Sequence, residues 1–294
     1  MQGLSDDDRS TDLPRQTSSA STAPREEDKL DATSLPEIWT EGATYSPEEW
    51  CRKVRQAHLQ PGRTFAVMHL FAGERRRHDV EQLVRQWAAR TGRKLLFLSV
   101  DLAMDERWDL SRPETFHALG CLIDEGHVDV LLGGPPCSTW SRARHRGRDG
   151  PPPVRGRQHD PWGFAHLTGA LRRRVTEANV LMVNTLSLME RVSRAGGGLL
   201  LEHPADPGCE PFPSIWANQV LLGMLERTGG QTVSFDQCTL GGPSRKPTTV
   251  AGALLGLQDE FAGCVCPGVS PDHSHSSSWG RTSDGTPRTR APQT

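Results

Sequence analysis

Val128-Asp129-Val130-Leu131-Leu132 followed by Gly133-Gly134-Pro135-Pro136-Cys137 is an apolar, strand-sized run that passes directly into a stiff loop ending in a thiol. Consecutive glycines let a backbone turn tightly and paired prolines stiffen the chain after them, so the loop presents Cys137 at a fixed place. A free cysteine is also often a small buried apolar filler. The segments on either side of the run therefore decide between the two readings.

Upstream, Pro113 to Glu125 reads as a helix, and Lys94 to Val100 (KLLFLSV) as a strand ending in Asp101. Before these come a helix from about His78 to Arg90 and a glycine-bounded strand, Thr64 to Phe71 (TFAVMHLF). Ser46-Pro47-Glu48-Glu49 is a capping box with proline at the first helical position, followed by Trp50, Val54 and His58 at helical spacing. Downstream, a long Gly-, Pro- and Arg-rich loop reaches Trp162, and loops of that length are usually functional. A helix from about Phe164 to Arg194 comes next, with Leu167, Leu171, Val175, Ala178, Met182, Leu186, Met189 and Val192 forming a core stripe. After Gly196-Gly197-Gly198 come a strand at Leu199 to Leu201, a helix over about Ser214 to Arg227, and strands near Thr232 to Phe235 and Thr248 to Ala253. No internal repeat is visible.

Strands alternating with helices of ten or more residues predict an α/β chain with a doubly wound, mostly parallel sheet, because parallel neighbours need a crossover. Ligands of such sheets bind outside the carboxyl ends of the strands, where the strand order reverses. Phe71-Ala72-Gly73, Asp101, Gly133 to Cys137 and Glu202-His203-Pro204 all come directly after strands and would face one crevice.

Composition sets the limits of the domain. Residues 1–45 are crowded with Ser, Thr, Pro, Asp and Glu without a sustained apolar period, and read as disordered. Residues 46–62 form a leading helix and 63–260 the domain. Residues 261–294 form a tail that from Ser274 onward holds Trp279 as its one large apolar group. The 34 basic against 36 acidic residues exclude a uniformly basic nucleic-acid binder, but acids gather near the N-terminus and arginines in the middle. Seven cysteines without a positive-then-apolar leader argue against a secreted disulfide framework, and no run approaches a membrane span. The expectation is a soluble intracellular protein with reduced thiols, nuclear in a eukaryote.

Gly133-Gly134-Pro135-Pro136-Cys137 with Trp140-Ser141 resembles the catalytic motif of cytosine-C5 DNA methyltransferases. Other motifs come in the family's order. Leu70-Phe71-Ala72-Gly73 resembles the family's cofactor-binding motif, and Asp101 and Asp109-Leu110 match its acidic positions after strands two and three. Leu201-Glu202-His203 resembles the Glu-Asn-Val motif, and Gly242-Pro243-Ser244-Arg245-Lys246 the arginine motif. The resemblance covers about residues 64–253. It implies a Rossmann-like class I methyltransferase fold and S-adenosylmethionine as methyl donor, held by Phe71, Gly73, Asp101, Asp109 and Pro135. Cys137 would be the nucleophile on cytosine carbon 6, Glu202 the acid at ring nitrogen 3, and Arg245, with Lys246 competing, the cation that holds base and carboxylate. Asp101 as a solvated strand end and Asp109 as a helix cap are the plainer alternatives.

A thiolate adding to carbon 6 makes carbon 5 nucleophilic, which explains why a cysteine and an acid belong together here. A base inside a duplex cannot meet such a loop, so the target must be flipped out or single-stranded. Arg142, Arg144, Arg146, Arg148, Arg155 and Arg157 against Asp149 and Asp160 suggest phosphates, with Ser141, Arg142, Arg144 and Arg146 the expected contacts to DNA, less so RNA; a solvated charge run is the bland alternative. Cys264-Val265-Cys266 and His273-Ser274-His275 are zinc-binding types, but their spacing is not a common finger pattern, so no metal is assigned and surface thiols beside a His-containing tail are the default.

The chain departs from the family in three ways. Glu74-Arg75 comes after Gly73 where a second glycine is usual, His203-Pro204 replace Asn-Val, and neither a target-recognition domain nor a closing Gly-Asn motif is visible. Reduced methyltransferase-like domains that travel with reverse-transcribing elements share this pattern, which suggests a larger polyprotein. Two functions remain open: methyl transfer to cytosine, or an inactive methyltransferase-fold module that binds nucleic acid.

Overall fold

Short segments rich in Val, Leu, Phe and Thr fit the pleated, half-buried surface of a strand, and in the computed structural model six such segments hydrogen-bond into one sheet. Residues 45–76, 78–145 and 151–276 are described. The expectations for residues 1–44 and 277–294, and for Arg146 and Arg148, fall outside them. The strands are β1 (Thr64–Leu70), β2 (Lys94–Val100), β3 (Val130–Gly133), β4 (Gly198–Pro204), β5 (Gln231–Asp236) and β6 (Pro247–Gly252), in the order β2-β1-β3-β4-β6-β5. The pairs β2/β1, β1/β3 and β3/β4 are parallel, and β6 runs antiparallel to both β4 and β5. The mostly parallel α/β sheet expected from the alternation is therefore what forms. Strand order reverses between β1 and β3, which puts the crevice at their carboxyl ends.

Helices cover both faces. Met68 and Leu70 of β1, Leu98 and Val100 of β2, Leu131 of β3 and Leu199 and Leu201 of β4 share one core with α1 (Pro47–His58), α3 (Pro113–Asp124), α4 (Gly169–Arg194) and α5 (Gln219–Thr228). Alternate residues point the other way, where α2 (Val80–Thr91) lies: Phe65 meets Trp87 at 5.5 Å, and buried Ser99 donates to Glu81 at 2.8 Å. The capping box of α1 forms as its sequence predicts, with the Glu49 N–H donating to Ser46 Oγ and the Ser46 N–H to Glu49 Oε2. The α4 stripe is the buried face of that helix, from Val175 through Val192.

Four boundaries differ from the sequence reading, each for a local reason. α4 begins at Gly169 rather than near Phe164, because Gly163 turns the chain at φ +116° and Phe164 and Leu167 pack instead on Val154 and Val175. β4 runs past Leu201, because Glu202, His203 and Pro204 pair with Val250, Thr249 and Thr248 of β6. The expected helix from Ser214 splits into a 3-10 turn, Ile215–Ala217, and α5, because the Asn218 side chain accepts the Val220 N–H and starts a new helix. Among the described residues no strand stands between β2 and α3; Asp105 instead caps a 3-10 turn, Glu106–Trp108, around the buried Trp108. Asp109 thus ends a turn, not a strand. A short helix that the sequence did not announce, α6 (Leu257–Phe261), comes after β6.

Candidate active site

Strand register builds the site. Val100, Leu70, Gly133 and Leu201 are paired neighbours across β2, β1, β3 and β4. The next residue on each strand, Asp101, Phe71, Gly134 and Glu202, therefore forms a second row along the carboxyl edge. Gly134 and Glu202 are so close that a side-chain carbon on Gly134 would sit 3.3 Å from Glu202 Oε2. A larger residue there would have to push the Glu202 carboxyl aside.

Three groups with complementary chemistry converge beyond that row. Cys137 is half-buried; desolvation pushes its thiol above the usual cysteine value, Lys246 opposes that shift, and the Glu202 charge adds to it. Glu202 is partly exposed as a side chain, yet its Oε1 is sealed from solvent and accepts no hydrogen bond. Burial raises the Glu202 carboxyl and the Lys246 ammonium, 3.9 Å from Oε1, partly restores it. A buried oxygen with no donor is costly to leave unpaired.

The cation beside Glu202 is Lys246. Arg245, the first choice from sequence, is an exposed residue whose Nε donates to Asp236 Oδ1 at 3.1 Å. Lys246 comes after Arg245 with φ +25°, an unusual backbone for a lysine.

On the cofactor side, Phe71 (φ +60°) and Gly73 (φ +71°) make the turn after β1, and nothing lies within 4 Å of where a Gly73 side chain would start. The Asp101 carboxylate spans two turns, accepting the Gly73 N–H at 2.8 Å and the Ala103 N–H at 2.7 Å. Asp109 Oδ1 accepts from the Ser111 N–H and hydroxyl at 2.8 and 2.7 Å, closing the turn before α3. Arg75, where the resemblance leads one to expect a glycine, has its guanidinium bound to Glu81 and Asp79 at the start of α2. Pro135 is buried between Gly134 and the exposed Pro136. Two open grooves line the outer face of α4, around Trp162, Asn179 and Asn184 and around Ser111, Arg173 and Glu177; neither contains Cys137 or Glu202.

The arginine-rich loop is a scaffold as much as a surface. Arg155 is fully buried: it donates to Thr139 Oγ1 at 2.8 Å, to Asn179 Oδ1 and the Pro161 carbonyl at 2.9 Å, and lies 3.9 Å over the Trp140 ring. Burial holds its guanidinium down at about 9, still cationic at neutral pH. Arg144, expected at a phosphate, is 4% exposed, with its Nε on the Ser138 carbonyl at 2.7 Å and Nη1 on that of Pro152 at 2.9 Å. A buried guanidinium already holding two carbonyls is the clamp of the Cys137 loop, which corrects that expectation. Arg157 pairs with Asp206. Arg142 is exposed, and Ser141 Oγ accepts the Ala143 N–H at 3.1 Å.

Sequence reasoning passed over the Arg155–Thr139–Trp140 clamp, although a Thr-Trp pair two residues after the thiol and an arginine just after a run of three prolines were visible. It also gave Cys238 no role beyond that of a free thiol. The side chains of Cys238, Cys266, His273 and His275 lie together, their ligand atoms all within 4.8 Å of one another. Cys238 takes the place that Cys264 was given: a tight turn, Val265 N–H to the Gly263 carbonyl at 2.7 Å, leaves the Cys264 sulfur against the Glu260 carbonyl at 4.0 Å.

No protein-family model and no curated protein matches the chain. Among solved structures it is similar to the Dnmt2 methyltransferase of S. pombe, at 12% sequence identity and a TM-score of 0.36, over 71% of this chain and 57% of that one. The chain thus spans just over half the length of that structure. Among the described residues, no helix is long and apolar enough to cross a membrane.

Proposed function

We propose that this chain transfers a methyl group from S-adenosylmethionine to carbon 5 of cytosine in DNA through a covalent Cys137 adduct. The observation that carries the reading is the convergence of the Cys137 thiol, the sealed and unpaired Glu202 Oε1 and the Lys246 ammonium at one strand edge. S-Adenosylmethionine, when bound, supplies the electrophilic methyl and leaves as S-adenosylhomocysteine. The residues around the β1 and β2 ends fit such a ligand, because Gly73 leaves open space and each Asp101 oxygen, holding one N–H, keeps a lone pair. Phe71, Gly73, Asp101, Asp109 and Pro135 would hold it.

Cys137 does the addition: its sulfur bonds to ring carbon 6 and the displaced electron pair makes carbon 5 nucleophilic. Burial inclines both the thiol and the Glu202 carboxyl to hold a proton, and the reaction needs the arrangement in which Glu202 keeps its proton and sulfur has lost its own. Protonated Glu202 then donates to ring nitrogen 3 and neutralises charge building on the base. Lys246 stabilises the thiolate. Loss of the carbon-5 proton to solvent restores the ring double bond and expels the Cys137 thiolate, and ring nitrogen 3 returns its proton to Glu202. Ser141 and Arg142 would contact the target strand, since Arg142 is the exposed described arginine beside the thiol.

A second reading, a methyltransferase-fold module that binds nucleic acid without the methyl donor, is favoured by one observation: Asp101 already closes the Gly73 turn. Incubation with methyl-labelled S-adenosylmethionine and cytosine-containing DNA or RNA tests the first. Label in 5-methylcytosine of DNA is the expected result, label only in RNA changes the substrate, and no label together with no calorimetric binding of S-adenosylmethionine establishes the second.

A further inference from the structure

The best-formed ligand set outside the strand edge lies at the far side of the sheet. Cys238 sits in the 3-10 turn Gln237–Leu240 after β5, and Cys266, His273 and His275 lie on the segment after α6. That segment is fastened to the β5–β6 hairpin by its backbone. The Asp236 N–H donates to the Cys264 carbonyl at 2.9 Å, the Cys266 N–H to Asp236 Oδ2 at 2.9 Å, and the Ser276 N–H to the Pro243 carbonyl at 2.7 Å. Two hydrogen bonds between Ser270 and His273, at 2.9 and 3.1 Å, close a small loop that returns the two histidines to Cys266.

The spacings are those of a coordination sphere. Cys266 Sγ is 3.5 Å from His273 Nε2 and 3.4 Å from His275 Nε2, and the two Nε2 atoms are 3.0 Å apart. A tetrahedral zinc with bonds of about 2.3 Å to sulfur and 2.0 Å to nitrogen has S···N edges of roughly 3.5 Å and N···N edges of roughly 3.3 Å. Both imidazoles point the same ring nitrogen at the same sulfur, and the Gly268 N–H donates to that sulfur at 3.4 Å. An N–H donor to a ligating sulfur is the kind of outer contact that orients metal ligands. Without a cation, two thiols and two facing imidazoles within 4.8 Å would have to share protons; with one, every donor lone pair has a partner.

We propose that Cys238, Cys266, His273 and His275 bind one structural zinc ion, closed by four protein ligands, that clamps the segment after α6 onto the β5–β6 hairpin. The same hairpin carries Ser244, Arg245 and Lys246 between its strands, so the zinc holds the lysine-bearing loop against the strand edge at Glu202. The zinc assignment does not rest on the proposed methyl transfer.

Full-length protein purified under reducing conditions tests it by elemental analysis and by cobalt substitution. The expected result is one zinc per chain and, after exchange, the visible bands of tetrahedral cobalt with a near-ultraviolet thiolate-to-cobalt charge-transfer band. Cys238→Ser should roughly halve that charge-transfer intensity or abolish stoichiometric metal, whereas Cys264→Ser should change neither. Because Cys238→Ser could unfold the chain, the wild-type cobalt spectrum stands as a separate check. Substoichiometric zinc with octahedral cobalt bands, metal lost in Cys264→Ser but retained in Cys238→Ser, or a Cys238–Cys266 disulfide in freshly reduced and desalted protein would each overturn the proposal.

Discussion

Glu202 of β4 stands beside Gly134, the residue just after the parallel strand β3, with the Glu202 Oε2 atom 3.3 Å from where a Gly134 side chain would begin. A methyl group there must push the carboxyl by a few tenths of an ångström. Because that carboxyl is the end of a flexible chain, Gly134→Ala should fold normally, with its melting temperature within a few degrees of wild type, yet lower the methyl-transfer rate several-fold. Glu202→Gln removes the acid altogether and should lower kcat by a factor of about 10² or more, the usual worth of a general acid.

Lys246 rather than Arg245 should govern the pH dependence. The acid limb of the rate profile tracks Glu202 and the alkaline limb Cys137, since activity needs one proton shared by the pair. The Lys246 charge lowers both groups, so Lys246→Gln should move both limbs to higher pH. Arg245→Gln, which loses its pair with Asp236, should move neither. A profile that shifts with Arg245 and not with Lys246 would contradict the assignment.

The buried histidine of β4 should make the fold acid-sensitive. His203 is 2% exposed, its Nε2 has no hydrogen-bond partner, and burial drives its imidazole down to about 3 from the ordinary value near 6.5. A base held neutral in the fold but free to protonate when unfolded contributes stability that is complete above about pH 6.5 and is lost as pH falls toward 3. The slope is at most about 1.4 kcal/mol per pH unit. Urea unfolding between pH 7 and 4 should show this loss, and His203→Phe should flatten the curve in that window.

The two kinds of loop arginine should separate cleanly. Arg155→Ala leaves Thr139, Asn179 and a carbonyl without their donor, and each abandoned buried partner costs roughly 1–3 kcal/mol. Thermal unfolding should reveal a loss of about 3 kcal/mol or more. Arg142→Ala, at an exposed position, should leave stability within about 0.5 kcal/mol and weaken DNA binding with a smaller salt dependence. Equal destabilisation by the two would refute the distinction.

The sheet was legible because its signal is local: glycine-bounded Val, Leu and Phe runs and the α4 stripe need no knowledge of their neighbours. The strand-edge residues were legible for the same reason, since Cys137 and Glu202 come directly after strand-sized apolar runs. The features that escaped depend on tertiary pairing. β4 extends through Pro204 only because β6 comes alongside it, and Arg144 and Arg155 look like phosphate ligands until the carbonyls and the Trp140 ring that bury them are in place. Cys238 lies 28 residues before Cys266, a separation that only the β5–β6 hairpin closes. Lys246 replaced Arg245 through a backbone turn at φ +25° that the sequence does not announce.

Whether Cys137 attacks cytosine can be read by covalent trapping. The chain is incubated with S-adenosylmethionine and DNA containing 5-fluorocytosine, whose fluorine blocks the release of cysteine from carbon 6, and the products are separated under denaturing conditions. The expected product is a stable protein–DNA adduct mapping to Cys137, absent from Cys137→Ala and sharply reduced in Glu202→Gln. Absence of adduct from wild-type protein, under conditions that trap a known cytosine methyltransferase on the same DNA, or an adduct mapping to another cysteine, would contradict the assignment of Cys137 as the nucleophile.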